Sequence, residues 1–506
     1  MRRRIILPLV ALAVAATLVA PTGASAQTTF TFYGSGYGHG IGMSQWGAFG
    51  LAKAGWEAPD ILAHYYTATA IESFDLGEPL RVGLGTGRAS VRIQATTADV
   101  PLAVDGETVA TIPSGQAWTV VPSGTSGFEV RDGAGSAVVG PVGSTTAPLT
   151  ASLDGSPVKL ENGRTYARGD LELGLHLCGK TCSIRLIVVL GMEEYLYGLG
   201  EVPSSWPSAA LETQAIAART YAANKALVSQ RRSPCDCAVL SSTYDQAYIG
   251  ADKETGTGGA RWVAAVDATA GQVVTYDGEP IQAFYMSSSG GHTEDNDAVW
   301  GGTPLPYLRG VCDPGDYVSA NPSATWTVTR SAEDVTAALK IPSVGTVTGF
   351  TVDERGASGR ILRVTVEGDA GSATISGNTL QSRLGLRDDR MWIGVNLLVT
   401  GAVRAKYDAL MCGPGDALTP QTTVQSGLRQ RFAAATIFQG PDLGAFSLDG
   451  AVLAFYLSKK GPRGELGFPT SDVRTLSNSA TRARFENGVV TCPPDGATCR
   501  LKLATG

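Results

Sequence analysis

The hydrophobic rhythm of the chain changes several times along its length. Behind three arginines, residues 5–20 form an uncharged apolar run. TFTFYG, residues 29–34, alternates at period two and predicts a strand. It runs into GSGYGHGIGMSQWGA, residues 34–48, where glycine occupies every second position from 34 to 42. Residues 46–54 and 59–66 then carry helical patterns. From 80 to about 160 the chain is rich in Val, Thr, Gly and Ser. Short alternating runs (VRIQATT, ETVATI, AWTVVP, FEVRD) are separated by turn pairs such as Asp105-Gly106, Asp132-Gly133 and Asp154-Gly155, an all-β pattern. Two strands are expected in 170–190. Residues 207–228 predict a long helix, with Leu211, Ala215, Ala218 and Ala222 at helical spacing and Pro207 in its first turn. Strands follow at VVTYDG and PIQAFYMSS, then the loop SSSGGHTEDNDAVWGG. Alternation resumes over 326–393, and a segment rich in Gly, Pro, Thr and Gln begins at 412.

Composition narrows the class. The chain has 506 residues, enough for two to four domains. With 43% apolar and 17% charged residues it can bury real cores, and a net charge of −6 argues against a nucleic-acid partner. The basic start, the apolar run and Ala24-Ser25-Ala26 read as a secretory signal peptide cut after Ala26. No later segment is apolar enough to span a membrane. Eight cysteines suit an exported protein. Cys178/Cys182 and Cys492/Cys499 could most easily bridge locally, although C-x3-C and C-x-C are also zinc-ligand spacings.

Three segments could carry chemistry. The glycine run fits neither phosphate-binding fingerprint. Alternate glycines let a backbone pass close to something bulky, leaving Tyr37, His39, Ser44, Gln45 and Trp46 to face a groove. The second is EEYLYGLGEVPSSWPSAALETQAIAARTYA. Glu201 sits in a turn before the long helix, flanked by Val202 and Trp206. Gln214 and Tyr221 are seven apart on one helix face, with Arg219 on another. The third is MSSSGGHTE, where Ser288, Ser289, Gly290 and Gly291 make a polar rim. A Ser288–His292 catalytic pair is conceivable, but no G-x-S-x-G elbow accompanies it.

Taken together, GHGIGMSQWGA with ILAHYY, EEYLYGLGEVPSSWP with LETQAIAARTYA, DQAYIG, and SSSGGHTE with WGG and PYL resemble the stage II sporulation protein D and amidase-enhancer family. In many relatives the GHGxGMSQxGA motif closes the domain; here it opens it, so that piece must fold back beside Glu201. The resemblance implies peptidoglycan work. Sporulation members look like lytic transglycosylases acting on glycan stripped of stem peptides, and their catalytic glutamate falls at Glu201. Amidase enhancers instead bind wall and stimulate a partner amidase. Some relatives carry His or Cys where this chain has Met286 and Ser289, with a zinc; those ligands are missing here, so no metal or other cofactor is expected.

GELGFPTSD with RFENG resembles the LGFP repeat of actinobacterial wall proteins. RFAAATIFQGPDLGA also returns loosely as RFENGVVTCPPDGA, with the Arg-Phe pairs at 431 and 484. The expected fold class is α+β. The domains are a signal peptide at 1–26, the first part of a β-rich catalytic domain at 27–79 and an inserted all-β subdomain at 80–165. The main catalytic domain, with its long helix after the catalytic turn, is 166–400; a linker at 401–426 leads to a small repeat module at 427–506. Glu201 is the expected general acid and base. Tyr37, His39, Gln45, Gln214, Arg219, Tyr221, Ser288, Ser289, Gly290 and Gly291 are expected to bind glycan in a secreted, wall-associated protein.

Overall fold

A computed structural model describes residues 28–496 and 498–504; the expected signal peptide lies outside the described residues. The alternation at the N-terminus is a strand, β1 (Thr29–Gly34), and its partners are far away in sequence. It pairs antiparallel with Trp326–Ser331 on one edge and Met391–Ile393 on the other. Phe32 is thereby buried in a core formed by Val335, Leu339, Val364, Leu380 and Met391. The next strand, β2 (Met43–Ser44), runs parallel to Tyr285–Met286. The motif that opens the chain is thus folded back onto strands that come some 240–360 residues later.

The glycine run lies between these two anchors, and what crowds it is the protein's own interior. A Cβ on Gly40 would lie 2.5 Å from the Arg360 guanidinium, and one on Gly42 would lie 2.1 Å from the Phe284 carbonyl oxygen. Both glycines have positive φ, +83° and +72°, which any L side chain resists.

Helices α1 (Gln45–Lys53) and α2 (Ala58–Tyr65) follow, one residue earlier than the pattern predicts. The Ser44 hydroxyl caps α1 by accepting from the Gly47 N–H at 3.0 Å. After the short α3 (Met192–Tyr197), α4 (Ser208–Val228) is the expected long helix, with Pro207 at its cap position. Its alanines let α1, α2, the helix Gly259–Ala268 and the strand Gln272–Tyr276 all approach closely, so α4 is buried on several faces.

The β-rich region extends beyond the expected boundary at 165. A seven-stranded sheet joins Leu80–Arg88 to Ser183–Leu190, Asp170–His176, Leu149–Ser152, Val100–Val104 and Glu107–Ile112. Val239–Leu240 adds to its other edge, parallel to Leu80–Arg88. A six-stranded sheet packs with it, and both share one apolar core with α1, α2 and α4. The fold is mixed helix and sheet, built from many small sheets.

The expected linker is partly a helix, Gly401–Ala409, with Val403 and Tyr407 buried against Phe432 and Ile437. Beyond it stand two four-stranded antiparallel meanders, Thr422–Val424 to Ala445–Asp449 and Arg474–Thr475 to Arg500–Leu503. The echoed Arg-Phe pairs fall at the end of the second strand in each (Gly427–Arg431 and Thr481–Phe485). All eight cysteines are paired: Cys178–Cys182, Cys235–Cys237, Cys312–Cys412 and Cys492–Cys499. Among the described residues no helix is long and apolar enough to cross a membrane.

Two glycine-to-alanine changes separate backbone strain from close approach. Gly55→Ala, at φ +91° with open space around it, should cost about 1 kcal/mol from strain alone. Gly42→Ala adds a clash with rigid backbone and should cost about 3 kcal/mol or more. Denaturant melts of the two variants measure the difference; equal losses would mean that the Phe284 carbonyl moves aside freely.

Candidate functional site

Two buried aspartates assemble the site. Asp316 accepts from the hydroxyls of Ser44 and Ser288, each at 2.8 Å, and from the N–H groups of Ser289 (3.1 Å) and Gly290 (3.0 Å). Asp313 accepts from the Tyr65 hydroxyl at 2.8 Å and the Ser289 hydroxyl at 2.6 Å. Burial raises both carboxyls. Asp313 is pushed up to about 7, with the neighbouring Asp316 charge as the second cause. This clamp ties the cap of α1 to the serine loop and fixes the next residue, Gln45, over the turn that holds Glu201.

That turn is pinned by its own backbone. Gly200 N–H donates to Ala247 O, and Ile249 N–H donates to Gly198 O, each at 2.8 Å. Glycine is required at 198 because a Cβ there would lie 2.4 Å from the Tyr248 ring. The Ala247 N–H then donates to one Glu201 carboxyl oxygen, and the Gln45 amide reaches the other at 3.5 Å. The Tyr285 hydroxyl also bonds the carboxyl. Its orientation is set from behind: Tyr195 OH donates to Gln246 Oε1 at 2.8 Å, and Gln246 Nε2 donates to Tyr285 Oη at 2.9 Å. With its oxygen already accepting, Tyr285 has its own hydrogen left for Glu201.

Burial is the largest influence on Glu201 and raises its pKa. The Ala247 N–H, Gln45, Tyr285 and the charge of Lys253 all oppose that rise. Lys253 donates to the Val202 carbonyl at 2.6 Å and is pushed down to about 8 by burial, with Glu201 holding it up. Val202 and Trp206 are buried as expected, and Trp206 packs against Trp46 and Phe49 at ring separations of 4.9 and 5.1 Å.

In front of Glu201 lies an open cleft of about 510 Å³. Tyr37, His39 and Gln45 come from the glycine motif, Tyr221 from α4, and Tyr285, Met286 and Ser287 from the strand beside β2. Trp300 and Tyr244 stand at its rim, 47% and 75% exposed, and Tyr37 is 54% exposed. Such exposed aromatic faces can stack on apolar sugar faces. His39 is fixed and neutral. Its Nδ1 accepts from Ile41 N–H at 3.0 Å, so Nε2 carries the hydrogen donated to Tyr285 O at 3.1 Å. Burial pushes its pKa down to about 4. With both nitrogens engaged, His39 braces the loop and moves no proton. Asp245 is also committed: it accepts from Tyr221 OH (2.9 Å), from Leu240 N–H (2.8 Å) and from Arg232.

Of the expected residues, Tyr37, His39, Gln45, Glu201 and Tyr221 meet in this cleft. Gln214 lies behind Gln45, accepting its amide at 3.3 Å, and is buried. Four others do not reach it. Ser288 and Ser289 are wholly buried with their hydroxyls on Asp316 and Asp313, so the wall is made by Ser287 instead. Gly290 packs on Ser35 and Gly291 on Arg404. A fifth, Arg219, points to another face of α4, where it is bidentate to Glu193 at 2.8 and 2.6 Å. There is no serine–histidine pair, because Ser288 donates to Asp316 and His292 bonds the Thr293 carbonyl. Among the described residues no three His, Cys, Asp or Glu side chains converge as a metal site.

Sequence reasoning missed Tyr285, Gln246, Asp245, Tyr244, Trp300 and Lys253. Asp245, Gln246 and Trp300 stand inside DQAYIG and the WGG run, which carry the resemblance but show no catalytic spacing of their own.

Comparison with known proteins covers part of this site. Residues 180–276 match the family described as Stage II sporulation protein. Stage II sporulation protein D of Bacillus subtilis is 30% identical over 216 residues, covering 40% of this chain and 58% of that protein. The protein of the same name from Bacillus amyloliquefaciens is 30% identical over 207 residues, 39% of this chain and 58% of its own length. The amidase enhancer of Bacillus subtilis is 35% identical over 135 residues, 27% of this chain and 16% of that protein. The chain therefore spans a little over half the length of the sporulation proteins it matches. Glu201, α4 and the Ala247 donor all fall within residues 180–276, so the matched segment is the one that holds the buried carboxyl, and it is over this segment that the chain resembles the stage II sporulation protein D and amidase-enhancer family.

Proposed function

We propose that this is an exported, wall-associated lytic transglycosylase that cleaves the glycan strand of peptidoglycan, with Glu201 as its single acid and base. The observation that carries this reading is a buried carboxyl with a raised pKa at the base of an open, aromatic-rimmed cleft. The second carboxylate there, Asp245, is held by Tyr221 and Arg232, which leaves no free partner to activate water. One carboxyl suffices when water is not the nucleophile. Protonated Glu201 gives its proton to the glycosidic oxygen as the bond to MurNAc C1 breaks, and the leaving sugar departs as an alcohol. The resulting carboxylate takes the proton of the 6-hydroxyl, whose oxygen bonds to C1 and closes the 1,6-anhydro ring. Glu201 ends the cycle protonated as it began. Between the two transfers the Ala247 N–H and Tyr285 hydroxyl stabilise its charge.

Export is supported by four disulfides and the basic, apolar N-terminus. The two C-terminal meanders are proposed as an LGFP-like wall-binding module. A second reading, stimulation of a partner amidase without cutting, is favoured by the similarity to the amidase enhancer. It keeps the cleft but needs no proton donor at 201.

Digests of denuded glycan strands, read by mass spectrometry, separate the two. The first reading expects anhydro-muramyl ends, and Glu201→Gln should lower their formation about 10³-fold. If wild type and variant bind alike, neither cuts, and both accelerate an added amidase, the second reading holds. Tyr285→Phe removes a donor that favours the carboxylate. The alkaline limb of its pH–rate profile should therefore move to higher pH, with a maximal rate about tenfold lower. An unmoved limb would remove Tyr285 from the proton chemistry.

Stability should carry the same signature. A carboxyl whose folded pKa is raised binds its proton more tightly in the folded chain. Its stabilising share is whole below the ordinary value of 4.5 and is lost as pH rises towards the raised value. Glu201→Gln should melt with wild type at pH 4 and above it at pH 8; a variant no more stable at pH 8 contradicts the raised pKa.

A further inference from the structure

The second C-terminal meander turns one face inward and the other to solvent. Its strands lie in the order Arg474–Thr475, Thr481–Phe485, Gly488–Cys492, Arg500–Leu503, each antiparallel to the next. Side chains alternate between faces along a strand, and directly paired residues share a face. Ala483, Phe485, Val490 and Cys492 point inward, into a core with Val452 and Tyr456 of the helix Gly450–Ser458. The outward face carries two rows. In one, Arg474 stands opposite Arg482, Arg482 opposite Thr491 and Thr491 opposite Arg500. In the other, Arg484 stands opposite Val489 and Val489 opposite Lys502. All five cations are exposed.

The first meander has no such face, although RQRF at 429–432 echoes RARF at 482–485. Its Ile437 packs against the helix Gly401–Ala409, and its Phe438 and Leu448 against Val452. On the second meander the outward positions hold no acid. Arg474 and Arg482 are directly opposed, where like charges are destabilising. Among the described residues none of the five cations forms an ion pair. The acids nearest in sequence are engaged elsewhere: Asp472 with Lys406 and the Ser447 N–H, Glu486 with the Phe468 N–H. Arg482 Nε donates to the Thr491 hydroxyl at 3.1 Å, which holds its guanidinium over the sheet. Residues 427–506 contain ten Lys and Arg against six Asp and Glu, a balance of +4 in a chain of net charge −6.

We propose that this face binds an anionic wall polymer built of phosphodiesters, laid across the two rows of cations. The proposal rests on the reading of the meanders as a wall-binding module and gives that module a ligand. Paired strands lie about 4.8 Å apart, and same-face neighbours along a strand about 6.8 Å apart. A polymer with one phosphate per short repeat meets several of these charges at once. Four of the five are arginines, whose planar forks match pairs of phosphate oxygens. Val489 is the one apolar side chain in the two rows, so no aromatic ring is there to stack on a bare sugar or to enter a bilayer.

The test is sedimentation of the full-length protein with isolated walls that keep their phosphodiester polymers, and with the same walls stripped by hydrofluoric acid, which cleaves phosphodiesters. Intact walls should bind about tenfold more tightly, and raised salt should shrink the difference. The triple variant Arg482→Gln/Arg484→Gln/Arg500→Gln should lose the preference. Lys459→Gln/Lys460→Gln/Arg463→Gln, which removes as much charge from another part of the module, should keep it. Relief of repulsion means that the first triple variant should melt no lower than wild type. Soluble poly(glycerol phosphate) should compete for the wild-type protein, which tests the ligand without any variant. Equal binding to intact and stripped walls, equal losses in the two triple variants, or tighter binding to phosphatidylglycerol vesicles than to intact walls would overturn the proposal. If stripped walls bind as well as intact ones, the wall-binding reading survives and only the phosphodiester ligand fails; if neither binds, both fail.

Discussion

One buried carboxylate holds the site together. Asp316 gathers hydroxyls from Ser44 and Ser288 and N–H groups from Ser289 and Gly290. An unpaired charge in that position would cost several kcal/mol, so the segments that satisfy it are locked to one another. Two of them, the cap of α1 and the serine loop, lie at the same end of the parallel β2 pairing, one on each strand. The disulfide Cys312–Cys412 fixes the loop that carries both aspartates to the C-terminal end of the helix Gly401–Ala409. Without this clamp, β2 would be a two-residue strand with little to hold it, and Gln45 would have no reason to lie beside Glu201.

The same logic explains why the carboxyl can be dry and still accept charge. Burial alone would make Glu201 a strong proton holder and a poor carboxylate. The Ala247 N–H and the Tyr285 hydroxyl reverse part of that, and neither needs to reorient when the proton leaves. Tyr285 is preorganised because Gln246 occupies its oxygen, and Gln246 is oriented by Tyr195. Lys253 adds a positive field from behind the turn, weakened by its own burial. The balance of these groups, more than the glutamate itself, defines what position 201 can do.

How much of this was legible in the sequence depended on the range of the interaction. Local patterns read well: α1, α2 and α4 begin and end within a residue or so of their hydrophobic periodicity, because capping and helical spacing act over a few residues. The fold-back of the N-terminal motif followed from the resemblance, not from any local signal. That Leu80–Arg88 takes its partner from Ser183–Leu190 could not be read locally, because a pairing across a hundred residues leaves no mark on either strand. Ser288 and Ser289 looked like a rim because hydroxyls usually are; their acceptors, Asp313 and Asp316, sit in a segment with no pattern to betray them. Arg219 was correctly placed on a different face from Gln214 and Tyr221, and its Glu193 partner holds it there.

The glycine motif shows why a signature sequence need not be a reactive one. Its alternate glycines admit the Arg360 guanidinium and the Phe284 carbonyl, so they serve packing inside the protein. His39, the residue most suggestive of chemistry, bonds backbone through both nitrogens and stays neutral well below physiological pH. What the motif delivers to the cleft is Tyr37 on its wall and Gln45 over the carboxyl. Its fixed residues are therefore constrained by the need to bring one amide and one aromatic face to a carboxyl held by another part of the chain. That requirement is indifferent to whether the motif opens or closes the domain, since β1 and β2 are both anchored by strands from the far end of the sequence.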